Sequence, residues 1–167
     1  MPAKDAKEVF LVLLSNVREG AERSSILYDE IGQVAKDPDI KEVLEARAFL
    51  KDSIVERLDQ CFKILGEKPR TLPGNLRDTF IEDFRREINE IQSPGARRLF
   101  ALAKMVHFAH FRAGEYVALT AAADLTGNHA VGLLLESCLA DSLAFAERNR
   151  RLIRHMAEER LAERRAA

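Results

Sequence analysis

Glycine and proline are confined to a few points in this chain, and the segments between them repeat apolar residues every three or four positions. That combination predicts long helices and little else. The first segment, Lys4 to Ala35, carries Phe10, Leu13, Leu14, Val17, Ala21, Tyr28, Ile31 and Ala35 as one helical stripe. "DPD" follows, where Asp37 can cap the next helix and Pro38 fits its first turn. The second helix runs to about Leu65 on the stripe Val43, Leu50, Ile54, Leu58, Cys61, Leu65, and Gly66 stops it. The loop "GEKPRTLPG" leads to a shorter helix from roughly Asn75 to Ile91. "SPG" at 93–95 repeats the cap-plus-proline start, and a third long helix reaches about Thr126 before Gly127. The last begins near His129 and extends to around Arg160, with "LAERRAA" expected to fray. No strand pattern and no internal repeat is present.

Four helices of about 45 Å each, with a short one between the second and third, predict an all-α antiparallel four-helix bundle. The whole chain, 1–167, reads as a single domain with its core at about 5–160. At this length a core buries enough surface to need no staples. Net charge is −1, from 26 Lys+Arg against 27 Asp+Glu, which gives no reason to expect nucleic acid as a partner. Cys61 and Cys138 form no C-x-x-C pair and read as buried reduced thiols. The longest apolar run, "VFLVLL" at 9–14, is too short to span a bilayer and lacks a signal peptide's cleavage site. A cytoplasmic location is the expectation.

A few polar residues fall on the apolar stripes: Ser24 on the first helix, Arg47 at the edge of the second, Ser142 and Asn149 on the fourth. The third helix differs. Arg97, Lys104 and Glu115 occupy a narrow arc with Arg112 at its edge, and the rest of the circumference is apolar. His107 and His110 lie within that apolar arc and are expected to be buried, neutral histidines. A helix apolar on most sides is covered on most sides, so a homodimer through the third helix is expected. A bundle site for iron or manganese needs inward carboxylates and Glu-x-x-His pairs. No Glu-x-x-His occurs, and Glu19, Glu22, Glu30, Glu45 and Glu56 fall off the stripes.

The segment "RLDQCFKILGEKP" at 57–69 closely resembles "RLEQIFELLGEKP", typical of the YciE/YciF-type bacterial ferritin-like family, and the helix layout is similar over residues 8 to 155. The resemblance implies a carboxylate-rich, di-metal core. It places the family's motif residues on Ser24, on Arg47 and Leu50 with Ile54 nearby, on Ala109, His110, Arg112 and Tyr116, and its two acids on Asp141 and Ser142 after the leucine at Leu139. Only His110, Tyr116 and Asp141 keep a matching residue; Ser24, Arg47, Leu50, Ala109, Arg112 and Ser142 are replacements. Divalent metals need several anionic or imidazole ligands at once, and carboxylates buried without metal are costly. The expectation is a ferritin-like bundle without metal or other cofactor, acting as a structural or interaction protein, with a stress-related role among the implications. Two alternatives stand beside it: a metal-binding protein or oxidoreductase with an atypical site around His107, His110, Glu115 and Asp141, taking iron or manganese, and a small-molecule binder whose core retains Ser142, Asn149 and Tyr116. A hydrolase is not supported, because Ser24 and Ser142 lack a visible base. The arginines of "RNRRLIRH" at 148–155 read as a solvated face.

Overall fold

Asp5 opens the first helix: its backbone is extended and its carboxylate accepts the Glu8 N–H at 2.8 Å, satisfying one of the donors a helix start leaves free. In the computed structural model the backbone is described for residues 5–35, 38–70 and 76–166, and side chains for these except 34–35, 76–78 and 160–166. Within them lie α1 (Ala6–Glu22), α2 (Ser24–Ala35), α3 (Pro38–Leu65), α4 (Leu76–Glu90), α5 (Pro94–Leu125) and α6 (His129–Ala166). The protein is all-α, with no strand among the described residues.

The two glycine stops stand where the sequence puts them. Gly66 adopts φ 65° and Gly127 φ 72°, a region open to glycine without a Cβ penalty. Each turns the chain so that the next N–H reaches back: Glu67 to the Phe62 carbonyl at 3.1 Å, Asn128 to that of Ala123 at 2.8 Å. Three details differ from expectation. Ser93 takes the N-cap position of α5, but its hydroxyl makes no cap bond. The backbone of α6 stays helical to Ala166, beyond the expected fraying point. The first long helix is not continuous; it breaks at Arg23. There the Ser24 hydroxyl donates to the Ala21 carbonyl at 2.7 Å, and Ile26 N–H bonds Arg23 three residues back rather than four. A serine hydroxyl competing for a helix carbonyl accounts for the break. The proposed Asp37 cap lies outside the described residues.

The α1/α2 rod packs on α3 and α5, and α6 packs on α3 and α5, closing a ring of four rods. Their apolar residues divide into two clusters. One holds Phe10, Leu14, Ile54, Leu58, Cys61, Tyr116, Leu119, Leu135 and Cys138. The other holds Tyr28, Ile31, Ile40, Val43, Leu102, Phe108, Phe145 and, from α4, Phe84 and Ile88. The α1/α2 rod and α6 run from the Phe10 cluster to the Phe84 cluster, while α3 and α5 run the opposite way. Neighbours around the ring are therefore antiparallel. His129–Glu159 is long and apolar enough to cross a membrane by length and composition alone. Its Val131, Leu135, Cys138 and Phe145 are buried against the other rods, as those of a core helix are.

Candidate functional site

Between the two clusters is a waist, and polar side chains from all four rods meet it: Ser24, Arg47, Arg112 and Ser142, each no more than 5% exposed. These are positions where the sequence comparison places lost ligands. Leu50 is partly buried beside the Phe10 cluster, which includes Ile54, and Ala109 is buried at the border of the Phe84 cluster.

Two guanidiniums enter the waist. Arg47 donates through Nε to the Tyr28 hydroxyl at 3.3 Å, and its Cζ lies 5.3 Å from the Phe145 ring centroid and 6.0 Å from that of Tyr28. Cationic and aromatic groups attract at this range. Arg112 donates through Nη2 to the Val17 carbonyl at 2.7 Å and through Nη1 to Glu115 Oε2 at 2.6 Å, above the Tyr116 ring. Towards the α3–α6 surface, Arg57 bonds Asp141 and Ser137. Asp141 is thus held by an arginine, and this pair raises the Arg57 pKa against the opposing effect of burial.

Burial raises the Tyr116 pKa and raises those of the thiols further, Cys61 to about 12 and Cys138 to about 11. A neutral buried thiol is a poor nucleophile and a poor metal ligand. Ser142 Oγ, Tyr116 Oη, Arg47 Nη1 and Asn149 Oδ1 are buried without a hydrogen-bond partner, while Asn149 Nδ2 donates to the Phe145 carbonyl at 2.8 Å.

His107 and His110 are corrections. Neither is buried; both lie on the exposed side of α5. The inward line of this helix is Leu102, Met105, Phe108, Ala109, Arg112, Ala113 and Tyr116. Arg112, read as an edge residue, points inward because α1 and Glu115 supply acceptors for its fork. His107 is therefore not a core polar group, and His110 is no inward remnant of a ligand set. Among the described residues no three His, Cys, Asp or Glu side chains lie close enough to share a metal ion. A divalent cation at the waist would face two buried guanidiniums and no free carboxylate, so these residues do not fit the di-metal centre. The inward Arg112 and the Tyr28 hydroxyl as partner of Arg47 were missed from sequence. The spacing of Ala109, Arg112 and Tyr116, three and then four residues, was the available signal.

The sequence matches DUF892, a domain of unknown function, over residues 5–163. This chain belongs to the DUF892 family. Two solved structures share the DUF892 chain's fold. The Escherichia coli stress protein YciF superposes with a TM-score of 0.86 at 18% identity, covering 93% of this chain and 99% of its own. YcfI of Rhodopseudomonas palustris, whose description proposes a structural role, gives 0.83 at 20% identity, covering 88% and 94%. At such identities the likeness establishes fold alone. Among curated proteins no match is found.

Proposed function

We propose that this DUF892 protein is a metal-free ferritin-like antiparallel four-helix bundle acting as a non-enzymatic structural or interaction protein. The observation that carries the reading is the waist: Arg47 and Arg112 are buried there at 5% and 3% exposure, where a metal centre would need anionic ligands. The antiparallel ring of rods and the short α4 packed on one end support the ferritin-like assignment. The descriptions of YciF as a stress protein and of YcfI as a proposed structural protein support a structural, stress-related role, for which we propose a cytoplasmic location. The test is elemental analysis of protein purified without chelators. Iron, manganese and zinc far below one per chain are expected; stoichiometric metal would overturn the reading.

We also propose that the bundle pairs with a second copy through the outer side of α5. Leu99, Phe111, Val117 and Leu125 are 40–84% exposed there, and the intervening exposed positions are Ala103, His107, His110, Gly114, Ala118, Ala121 and, next to Leu125, Asp124. From Leu99 to Ala121 no charged residue is among these exposed positions. Uncharged apolar faces of this length are uncommon on monomers, and one without charge can meet its own copy without repulsion.

A further inference from the structure

We infer that the waist holds a small monovalent anion of halide size against the Arg47 guanidinium. Arg47 is 5% exposed, and a guanidinium cannot shed its proton to escape burial. Its Nε bond goes to a neutral hydroxyl, and among the described residues no carboxylate pairs with it. The other cations near the waist are compensated, Arg112 by Glu115 and Arg57 by Asp141. One positive charge is left over inside the protein. The aromatic faces of Phe145 and Tyr28 offset only part of the cost of desolvating it.

A second observation points the same way. Arg47 Nη1 is buried and donates to nothing, and the buried hydroxyls of Ser142 and Tyr116 find no acceptor for their O–H groups, the Tyr116 oxygen facing the Arg112 guanidinium. Phe145, on which Arg47 stacks, lies one turn from Ser142 along α6. Tyr116 sits at the waist's other border, beneath Arg112. A guanidinium N–H and two O–H groups at one waist are all donors in want of an acceptor, which a halide would satisfy in bonds and in charge together. Water would satisfy the bonds and leave the charge, and a cation has the wrong sign. Asn149 Oδ1, an acceptor seven residues beyond Ser142 and thus about 10 Å along α6, lies outside this group. The inference rests on the waist being free of metal.

The full chain crystallised in bromide should show an anomalous peak in contact with Arg47 Nη1. In solution, replacing gluconate by bromide or chloride at fixed ionic strength should raise Tm by at least about 2 °C. Arg47→Met should abolish that shift, and Ser142→Ala and Tyr116→Phe should each reduce it; should Arg47→Met fail to fold, the latter two decide. Water in place of bromide, a Tm indifferent to halide, or a halide shift that survives the substitutions would overturn the inference. Elemental analysis keeps the two readings apart, since bound metal defeats the metal-free reading, whereas an absent halide in a metal-free protein defeats only this one.

Discussion

Arg112 of α5 donates to the Val17 carbonyl of α1 at 2.7 Å, so a guanidinium ties these two helices together just before the first rod breaks at Arg23. Its second arm holds Glu115 on its own helix at 2.6 Å. The two acceptors lie on different elements, and the planar fork reaches both at once. Lysine presents a single, strongly hydrated ammonium and cannot do so without giving up one bond.

Arg112→Lys is therefore expected to destabilise the protein by about 1–3 kcal/mol, the range for losing a buried charge-assisted bond. Arg112→Met should cost less, because it keeps the packed stem and removes the charge, leaving Glu115 with partial solvent access. Urea unfolding of the three proteins measures this order. A lysine variant as stable as the parent would show that the fork geometry contributes nothing.

The rods were legible because their ends are written in strong local chemistry. Gly66, Gly127 and Pro94 fix boundaries whatever the tertiary context, and the stripes of α1 and α3 are long enough to orient those helices. The inward positions of Ser24, Ser142 and Asn149 follow from the stripes of the first rod and of α6. On α5 the pattern gives no direction, because Ala and Gly lie on several of its sides and its apolar arc is too wide. Two histidines were consequently assigned inward and an arginine to the edge, the reverse of what packing selects. The break at Arg23 was hidden too. It arises from one hydroxyl bonding one carbonyl, and serine in a helical stripe carries no mark of which bond it will make.

Substituting either glycine stop tests how much the caps contribute. At φ 65° and 72° an added Cβ is strained even where space is open, as it is at both positions. Gly66→Ala and Gly127→Ala should each cost about 1 kcal/mol, and the two should add because the sites belong to separate helix ends. Chemical denaturation of the single and double variants checks both statements.

The buried thiols predict a weakness to alkali. Cys61, raised to about 12, and Cys138, raised to about 11, keep their protons in the folded state, whereas an unfolded thiol loses its own near pH 8.5. Above that pH the unfolded chain binds fewer protons than the folded one, so stability falls as pH rises. The slope is at most about 1.4 kcal/mol per pH unit for each thiol, and it fades to near zero by about pH 7. Unfolding free energies at pH 7.5 and 10 should differ accordingly, and Cys61→Ala/Cys138→Ala should flatten the profile while lowering stability overall. A thiol reagent should modify neither cysteine until the protein unfolds. Rapid modification of the native protein would contradict the burial of both.

The pairing of two copies through α5 is tested on the outer face of the helix and not its inner one. Ala113 is only 5% exposed within the chain, so a charge there would disrupt the protein's own core and say nothing about partners. Gly114 is the informative neighbour: a Cβ placed there meets no atom of the same chain within 4 Å. Gly114→Arg and Val117→Glu each place a charge on the uncharged line, Val117 being 56% exposed. In a two-fold pair the same charge would face its own copy, so both variants should sediment as monomers with helical content unchanged. Leu133→Glu, at a 69% exposed position of α6, should leave assembly as it was. A specific pair would bury about 800 Å² per copy, enough for the wild type to remain dimeric at micromolar concentration. A monomeric wild type at that concentration, or a dimer indifferent to both α5 charges, would end the proposal.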